Sequence, residues 1–444
     1  MYNCGPTVYD YVHIGNLRSF IFADILRRTL EYFGYKVEQT MNITDLGHLT
    51  SDADEGEDKM AKGLRREGLP YTLEAMRDLG TKYAETFNEN LKELNIESPH
   101  HIPRASDSVY ISEDLNIIQK LLTKGLAYET ADGVYFDTEN FPQYGALPGA
   151  PSAKESETQK TENHDKKSPR DFALWKKNSE IGFESPYGRG FPGWHIECSA
   201  MSMRTLKTET LDIHTGGIDN MPIHHNNEIA QSEGATGKTF ARFFMHGGPL
   251  TFSGEKMAKS TGNIAKLKDL EENKIHSLSY RFFTFNAHYR SPLDFSYEAV
   301  NAAQNALQDW VHLVARIENT EELPSDFKDE FENALADDLD IPKAVSTLQT
   351  LLSSPKSDGE KKAALLYANK VFGLDLEKLS EAVKEIGPEA RKILEKRNEA
   401  RINKDWVEAD RLRTELENRG YVLSDREKGT LILHSLSSLA VKSQ

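Results

Sequence analysis

Cysteine is nearly absent from this sequence, which has only two, Cys4 and Cys198, in 444 residues. That number excludes a disulfide-rich secreted scaffold. No apolar run approaches the roughly 20 residues that a membrane-spanning helix needs, and the first residues do not form a signal peptide. We therefore expect a soluble cytoplasmic protein that does not contact a membrane. On number alone, two inert buried thiols are the simplest interpretation of the cysteines.

An excess of positive charge is also missing. Asp and Glu number 70 against 54 Lys and Arg, and the formal net charge of -16 argues against a simple polycation that binds nucleic acid. The content of 38% hydrophobic residues excludes a wholly disordered chain. The length of 444 residues exceeds the roughly 250–300 that one compact domain reaches, so two or more domains are expected.

The charge is unevenly distributed, because the last segment is relatively basic. Residues 389–444 contain twelve Lys and Arg against ten Asp and Glu, which leaves -18 on the rest of the chain. In this segment Trp406 lies among Lys404, Arg411 and Arg413. On charge alone, the leading interpretation is a solvated helix with its own small core.

The apolar pattern predicts a parallel α/β sheet that begins near the N-terminus. A stripe from Leu17 to Phe33 at three- and four-residue spacing indicates an amphipathic helix, and Gly34 is placed to end it. The predicted strands of this sheet are 35–41, 210–215 and 241–245, with a helix over 223–233 that ends at Gly234. Ligands of such sheets bind beyond the carboxyl ends of the strands.

The middle and the end of the chain have different patterns. Residues 50–95 are helical and highly charged, 133–137 (GVYFD) is a predicted strand, and 149–168 is polar and typical of an exposed mobile loop. We interpret the region around that loop as an insertion between two halves of the sheet domain. Beyond 297 the chain is predicted to be helical. An apolar stripe there is typical of a bundle core: Val300, Ala303, Leu307, Trp310 and Val314.

The tetrapeptide His13-Ile14-Gly15-Asn16 comes just before the first predicted helix. Backbone N–H groups and the helix dipole favour anions at a helix N-terminus, and glycine allows a phosphate to approach closely. An imidazole and an amide add side-chain donors to such a site. Alone, the tetrapeptide is equally compatible with an ordinary loop whose asparagine caps the helix.

A cationic segment, 254–263 (GEKMAKSTGN), follows a predicted strand. Its Lys256 and Lys259 are three residues apart and flanked by glycines. A mobile loop of this kind can neutralise the charge that develops on a triphosphate during attack at its α-phosphorus. Alone, the segment is equally compatible with a solvated turn.

Together with His224 and Glu228, the two cysteines form a candidate set of metal ligands. His224 and Glu228 are four apart on a predicted helix and share one face, whereas His225 points about 100° away. Two thiolates, an imidazole and a carboxylate are a donor set that tetrahedral zinc accepts. Their scatter differs from the CxxC pairs of zinc ribbons, so a surface pair of His224 and Glu228 stays open as the alternative.

Taken together, these segments resemble the cysteinyl-tRNA synthetases, a family of class I aminoacyl-tRNA synthetases. The matching stretches occur in the family's order and span nearly the whole chain. They are CGPTVYDYVHIGN (4–16), NITD (42–45), SPRDFALW (168–175), PGWHIECSAM (192–201), PIHHNNEIAQS (222–232) and KMAKSTGN (256–263). KDWVEADRLR (404–413) resembles part of the family's anticodon-binding end. Several long motifs in register are far more specific than one tetrapeptide.

The resemblance implies an α/β fold in which a Rossmann-type parallel-sheet catalytic domain is split by a connective insertion. An all-α helical bundle and a small C-terminal anticodon-binding domain follow. On this sequence the two halves of the catalytic domain map to 1–95 and 191–250, and the insertion to 96–190. The KMSKS-type loop and stem-contact region maps to 251–296, the helical bundle to 297–388 and the anticodon-binding domain to 389–444.

The resemblance also implies activation of cysteine by ATP to cysteinyl-adenylate and its transfer to the 3′ end of tRNA(Cys), by a monomer. One Zn²⁺ per chain selects the substrate thiolate, and its implied ligands are Cys4, Cys198, His224 and Glu228. The implied cysteine-binding residues are Thr44, Trp194 and Asp219. ATP, which enters with Mg²⁺, is bound by His13, Gly15, Asn16, Lys256 and Lys259, all of them catalytic except the glycine. The implied tRNA contacts are Arg401, Trp406 and Arg411.

The sequence departs from the family pattern in several places. Asn16 stands where the first signature often ends in His, and Ala258 where the second usually has Ser. Residues 222–228 are PIHHNNE rather than the commoner FPHHENE, with the spacing of histidine and glutamate kept. Family members usually carry a longer segment before the strand that leads to the cysteine. Should that strand be absent, we expect a weakened sheet edge and a looser Cys4.

Other functions stay open at this point. The cysteine ligase of mycothiol synthesis is similar to this family and shares its zinc site, but it joins cysteine to an amino sugar and lacks the anticodon-binding end. A catalytically silent paralogue that only binds RNA or senses cysteine would not need Lys256, Lys259 and His13. A zinc hydrolase built on His224 and Glu228 would need a separate general base, for which the sequence has no motif.

Overall fold

The computed structural model describes residues 1–46, 58–150, 165–257, 264–426 and 429–440. The chain divides into two compact units. The first consists of Met1–Val12, Lys36–Glu89 and Ser98–Gly248, and the second of His13–Tyr35, Asn90–Glu97 and Pro249–Gln444. Each unit therefore combines segments that are far apart in the sequence. Within the described ranges, no helix is long and apolar enough to cross a membrane.

The regular elements follow one another along the chain as alternating helices and short strands. The strands are β1 (Tyr2–Asn3), β2 (Thr40–Met41), β3 (Ala127–Glu129), β4 (Gly133–Phe136), β5 (Phe172–Lys177), β6 (Gly190–Pro192), β7 (Leu211–Gly217), β8 (Ala241–Gly247), β9 (Leu250–Phe252), β10 (Glu255–Lys256), β11 (Leu293–Phe295), β12 (Tyr421–Arg426) and β13 (Gly429–His434). The helices are α1 (Ile14–Tyr32), α2 (Lys59–Glu67), α3 (Leu73–Glu93), α4 (Ser108–Thr123), α5 (Trp194–Leu206), α6 (Asn226–Thr236), α7 (Leu267–Glu272), α8 (Ser277–Phe283), α9 (Tyr297–Arg316), α10 (Ser325–Ala336), α11 (Ile341–Ser353), α12 (Asp358–Phe372), α13 (Leu376–Ala382), α14 (Pro388–Ile402), α15 (Trp406–Asn418) and α16 (Leu436–Leu439).

The first unit contains the predicted parallel sheet, in the order β2-β1-β7-β8. Tyr2 pairs with Thr40 on one side and with His214 on the other, so β1 is an interior strand. The strand before Cys4 is thus present, and the condition under which we expect a weakened sheet edge and a looser Cys4 is not met. Only the last two residues of the predicted strand 35–41 pair as β2, and Tyr35 at its start is exposed.

Residues 127–192, most of which lie in the predicted insertion 96–190, contribute a second sheet to the same unit. It is antiparallel, with the order β3-β4-β5-β6, and the predicted strand 133–137 is confirmed as β4. Gly133 is required there, because a Cβ at this position would lie 2.1 Å from the carbonyl oxygen of Trp175 on the neighbouring strand. Most of the predicted loop 149–168 lies outside the described residues.

The helix that carries His224 and Glu228 differs from the prediction at both ends. A π-helical turn, Met221–His225, precedes α6, and the helix ends at Gly237, whose φ is +77°. Gly234 does not end the helix. It lies inside α6, next to the side chains of Leu121 and Leu126. A Cβ at this position would lie 3.0 Å from both side chains, so glycine permits this close packing.

The second unit begins with α1, the amphipathic helix that the stripe from Leu17 predicts. Leu17, Ile21 and Ile25 are buried, and the left-handed Gly34 (φ +87°) follows its end. Near its start, the N–H of Ile14 donates to the carbonyl of Ala265 at 2.8 Å. A three-stranded sheet in the order β10-β9-β11 belongs to the same unit.

Helices dominate the rest of the second unit, as the pattern beyond 297 predicts. The five stripe residues of α9 are all buried. Arg281 lies completely buried among these elements, where it donates to Asp24 of α1 and to the carbonyl oxygens of Leu94 and Phe372. The prediction of helix alone is wrong near the C-terminus, because β12 and β13 form an antiparallel hairpin.

Candidate metal centre and substrate site

Four side chains from distant parts of the first unit converge on one point. One ligand atom each of Cys4, Cys198, His224 and Glu228 lies within 4.8 Å of the other three. Cys4 is half-buried and the other three side chains are buried. The sequence predicts these four residues, and the structure brings the whole set together.

Main-chain packing positions the two cysteines. Cys4 directly follows β1, and its N–H continues the strand pairing by donating to the carbonyl of Thr215 at 3.1 Å. Cys198 lies in α5, which begins after a close approach of two backbones. A Cβ on Gly193 would lie 1.9 Å from the carbonyl oxygen of Ala173. The parallel sheet and the start of α5 thus set the positions of both thiols.

His214 holds the carboxylate of Glu228. Its Nε2 lies 2.7 Å from Oε2 of Glu228, while Oε1 lies 3.3 Å from Nε2 of His224. Burial opposes the charged form, yet His214 and His224 keep the pKa of Glu228 well below its ordinary value. Glu228 is therefore a carboxylate at neutral pH, the form that binds a metal.

His224 is oriented by a second histidine. The Nδ1 atoms of His224 and His195 lie 2.8 Å apart. The other ring nitrogen of His224, Nε2, therefore faces Glu228. Burial alone would lower the pKa of His224, but Glu228 and the thiol of Cys198 raise it to about 10. Since a metal binds neutral imidazole, binding must displace this proton.

The two thiols differ in their acidity. A hydrogen bond with Cys4, and a second with His224, lower the pKa of the Cys198 thiol to about 6 against the effect of burial. The same bond between the cysteines, together with burial and Glu228, raises the pKa of Cys4 well above its ordinary value. Cys198 is thus the side chain that is ready as a thiolate, the form that binds zinc.

The donor set fits zinc. Zinc binds thiolate sulfur at about 2.3 Å and imidazole nitrogen or carboxylate oxygen at about 2.0–2.2 Å, with four ligands in a tetrahedron. Ligands at those distances lie roughly 3–4 Å from one another. The four atoms here all lie within 4.8 Å of one another, which small shifts of the side chains would bring to that spacing. Two sulfur atoms favour zinc over the hard cations Mg²⁺ and Ca²⁺, which prefer oxygen.

The sequence prediction misses the histidines around this set: His195, His214, His225 and His246. Nε2 of His225 lies 3.4 Å from Sγ of Cys4, and its Nδ1 lies 2.8 Å from Nε2 of His246. The expectation that His225 points away from the site is wrong, because Cys4 comes from β1 and meets the π-helical turn outside the face shared by His224 and Glu228. Two of the missed histidines lie within quoted motifs, but only tertiary packing reveals these contacts.

Two predicted cysteine-binding residues are packed among residues of the first unit, and one of them, Trp194, lies against the cluster. The ring of Trp194 lies against that of His224 with centroids 4.7 Å apart, and Nζ of Lys59 lies 4.6 Å from the Trp194 ring centroid. Thr44 is buried, and its Oγ1 accepts a hydrogen bond from Nδ2 of Asn42 at 3.0 Å. The sequence motif NITD contains Asn42, but no role for it follows from the sequence.

The third, Asp219, is exposed in the short turn Ile218–Asn220 that follows β7. Its negative charge contributes to the raised pKa of Cys4, which places the carboxylate within electrostatic range of that thiol. All three predicted cysteine-binding residues therefore belong to the unit that holds the metal cluster.

The first signature lies at the start of α1 in the second unit. A Cβ on Gly15 would lie 2.9 Å from Nδ1 of His13, so only glycine lets the imidazole lie against the first helical turn. Oδ1 of Asn16 accepts a hydrogen bond from the N–H of His13 at 3.3 Å. The signature thus forms the N-terminus of a 19-residue helix, the arrangement that suits a phosphate.

The second signature is only partly described. Lys256 ends β10, which pairs with β9 through Thr251. A Cβ on Gly15 would be 3.7 Å from Cβ of Leu250, so β9 lies next to the start of α1 within the second unit. Ala258 and Lys259 lie outside the described residues.

The predicted tRNA contacts lie on α14 and α15. Arg401 forms an ion pair with Asp425 of β12. Arg411 is paired with Glu408 at 2.7 Å and with Glu415 at 3.2 Å, whereas the ring of Trp406 is 58% exposed. In the folded protein, therefore, both arginines have acidic partners and the indole is presented to solvent.

Two family models match the chain. Residues 1–305 match the catalytic domain of tRNA synthetases class I (C), and residues 384–431 match the anticodon binding domain of cysteinyl-tRNA ligase. The second match begins just before α14 and covers most of the C-terminal hairpin.

Curated relatives match over nearly the full length. The cysteine–tRNA ligase 1 of Burkholderia lata is 41% identical, covering 97% of this chain and 91% of that protein. The cysteine–tRNA ligase of Chlorobaculum tepidum is 39% identical, with coverages of 97% and 93%.

A solved structure shares the fold at low identity. The methionyl-tRNA synthetase of Mycobacterium tuberculosis with methionyl-adenylate superimposes with a TM-score of 0.58 at 15% identity, over 88% of this chain and 95% of that one. This similarity extends the class I fold across both units. With the catalytic-domain match over more than half of its length and relatives near 40% identity, the chain belongs to the cysteinyl-tRNA synthetases.

Proposed function

We propose that this protein is an ATP-dependent cysteine–tRNA ligase. It activates cysteine with ATP to cysteinyl-adenylate and pyrophosphate, and it transfers the cysteinyl group to the 3′ end of tRNA(Cys). The observation that carries the proposal is the cluster of Cys4, Cys198, His224 and Glu228 on a class I synthetase fold. A site with two thiols suits an enzyme whose substrate is itself a thiol.

One zinc ion per chain is the proposed occupant of the cluster. When bound, it supplies a soft Lewis acid that prefers a thiolate to a serine hydroxyl. Apolar contacts alone separate near-isosteric substrates by only about 10–200-fold. Recognition of the substrate sulfur as a ligand additional to the four protein side chains would therefore explain how cysteine is selected against serine.

The rest of the substrate is held by residues of the first unit. Asp219 accepts the α-ammonium group, since its carboxylate is exposed near the thiol of Cys4. Trp194 forms an aromatic wall beside His224, and Thr44 supplies a buried hydroxyl. These groups orient cysteine and leave its carboxylate to react.

Activation takes place at the α-phosphorus of ATP, which enters with Mg²⁺. A carboxylate oxygen of cysteine attacks in line and forms a new oxygen–phosphorus bond. The bond between the α-phosphorus and the oxygen that bridges to the β-phosphate breaks, and pyrophosphate leaves with its electrons. His13, Gly15 and Asn16 bind the phosphates at the N-terminus of α1, and Lys256 and Lys259 neutralise the developing charge. Positioning and electrostatics supply most of the catalysis.

The C-terminal segment is the proposed tRNA-binding end. Trp406 offers an exposed ring on which an unpaired base can stack. Arg401 and Arg411 contribute through phosphate contacts that must compete with their acidic partners. A monomer in the cytoplasm remains part of the proposal.

Cysteine-dependent exchange of pyrophosphate into ATP, followed by charging of tRNA(Cys), tests the function. The ligase requires exchange and charging, each dependent on cysteine. Absence of exchange contradicts the proposal and favours a silent RNA-binding paralogue. Exchange without charging contradicts the tRNA half and favours a mycothiol-type ligase, for which transfer to an amino sugar is the next measurement.

A further inference from the structure

Asn42 forms hydrogen bonds with two segments of the first unit, the loop after Cys4 and the stretch that carries Thr44. Its side chain is 1% exposed. Oδ1 accepts a hydrogen bond from the N–H of Gly5, the residue after Cys4, at 2.8 Å. Nδ2 donates to Oγ1 of Thr44 at 3.0 Å. Because a backbone N–H can only donate, the bond to Gly5 fixes which end of the amide faces Thr44.

The backbone around Asn42 reinforces this link. A Cβ on Gly5 would lie 1.6 Å from the carbonyl oxygen of Asn42, so the two chain segments touch without a side chain between them. The N–H of Thr44 donates to the carbonyl of Pro6 at 3.0 Å, and the N–H of Val8 donates to that of Thr44 at 3.0 Å. Residues 5–8 therefore run along 42–44 as one ladder.

We propose that Asn42 is a positioning residue that holds a metal ligand and a substrate contact in one fixed relation. Through Gly5 it fixes the loop that carries Cys4, and through Thr44 it fixes the hydroxyl that faces cysteine. The metal part of this inference stands on geometry alone, whereas the substrate part rests on the proposed function. Asn42 itself does not touch the reacting atoms.

Two substitutions separate the two bonds. Asn42→Ala removes both: the N–H of Gly5 loses its acceptor, and the hydroxyl of Thr44 loses the amide donor. Asn42→Asp keeps an oxygen for Gly5 but replaces the amide donor by an acceptor, so the Thr44 hydroxyl must turn and donate its own proton to the carboxylate. Asn116→Ala is the matched control, because that amide lies on the exposed face of α4 and bonds only Glu113 among the described contacts.

Metal binding is measured first, with Co²⁺ alone as the probe. For Asn42→Ala we expect about 10–100-fold weaker Co²⁺ affinity, the usual effect of removing a group that supports a ligand. The sulfur-to-cobalt charge-transfer band should lose intensity at saturating metal. Asn42→Asp should bind Co²⁺ close to the wild type, as should Asn116→Ala. Equal affinities and equal spectra for Asn42→Ala and Asn116→Ala would overturn the inference.

Substrate binding is measured next, by pyrophosphate exchange at saturating metal. Asn42→Asp should raise the KM for cysteine at least tenfold while the KM for ATP stays unchanged. Thr44→Val removes the hydroxyl itself, so adding Asn42→Asp to Thr44→Val should leave the KM for cysteine close to that of Thr44→Val alone. Additive effects, or an equal rise in both KM values, would contradict the inference.

Thermal melting of each variant distinguishes this effect from simple unfolding. If Asn42→Ala melts below the assay temperature, Asn42→Asp and the double variant decide the matter. If the wild type shows no exchange, the proposed function fails, and the Co²⁺ measurements still test the link between Asn42 and Cys4.

Discussion

Nε2 of His214 lies 2.7 Å from Oε2 of Glu228, and both side chains are completely shielded from solvent. One carboxylate oxygen is therefore committed to a histidine on the central sheet, and the other is left for a metal. This contact joins β7 to α6. It fixes the direction of the carboxylate before any ion arrives.

Replacing His214 should weaken the metal site without removing a ligand. For His214→Ala we expect a loss of about 10–100-fold in zinc affinity, because the Glu228 carboxylate loses its orienting partner. Competition with a chromophoric chelator measures it. His214→Gln, which can still donate a hydrogen bond, should recover part of the affinity. An unchanged affinity in His214→Ala would show that the contact is not needed.

Removing one thiol should affect selection directly. Cys198→Ser is expected to reduce bound zinc, to raise the KM for cysteine and to weaken selection against serine, since a hydroxyl is a poor zinc ligand. Metal analysis and exchange with each amino acid measure these effects. Arg204→Lys on the same helix serves as the control. Full zinc content with unchanged kinetics would refute the ligand assignment.

Lys59 should help to hold the indole of Trp194. A cation over an aromatic ring contributes about 0.5–2 kcal/mol, depending on its exposure to water. Lys59→Ala should therefore raise the KM for cysteine several-fold at an unchanged KM for ATP, while Lys59→Arg preserves it. Lys62→Ala, an exposed residue of the same helix, is the control. Identical behaviour of the two alanine variants would argue against this role.

The C-terminal part should become less stable in acid. Hydrogen bonds from Arg397 and Arg401 hold the pKa of Asp425 below its ordinary value. The stabilisation is complete above the pKa of an unfolded aspartate, about 3.9, and is lost as pH falls through the lower folded pKa. Asp425→Asn should cost roughly 1–2 kcal/mol at pH 7, because Arg397 is buried whereas Asp425 itself is partly exposed to solvent.

Thermal melts of Asp425→Asn and wild type between pH 7 and pH 2 measure this difference. The gap in melting temperature should narrow towards pH 2, because below about pH 3.9 the carboxylate is protonated in the unfolded chain while the folded protein still holds it ionised. A gap that stays constant over this range would exclude the ion pair as its cause.

Trp406→Ala should separate tRNA charging from amino-acid activation. Loss of one stacked base costs about 1–3 kcal/mol, so the KM for tRNA should rise roughly 5- to 150-fold. Exchange and melting temperature should not change, because the ring is largely exposed. Val407→Ala, at a more exposed neighbour, is the control. A rise shared by both variants would contradict base stacking on Trp406.

The sequence predicted the metal cluster because its ligands have distinctive chemistry and lie in long motifs. Cys4, Cys198, His224 and Glu228 come together as expected. The contacts of Asn42 and His214 were not predictable, since both depend on the pairing of β1 with β2 and β7. Periodicity describes one segment at a time and carries no information about which segments become neighbours.

Errors in the predicted elements have similar causes. Gly234 resembles a helix stop, but tertiary packing against Leu121 and Leu126 requires a glycine within the helix. The C-terminal hairpin follows a long helical region. Apolar and polar residues alternate little along its two six-residue strands, so the sequence pattern does not indicate them. The helix stripe of α9 was predictable, because one wide apolar face recurs over several turns.

The placement of Cys4 directly after a two-residue interior strand bears on how the protein folds. The four side chains of the cluster cannot come together until residues 2–4 pair with β7 and meet α5 and α6, all at least 190 positions away. A nascent chain therefore emerges with its first thiol unengaged for most of its synthesis. Closing so large a loop is slow, and metal affinity becomes free energy of folding once it closes. If the cluster holds zinc as proposed, zinc loading reports that residues 2–4 have paired with β7 and packed against α5 and α6.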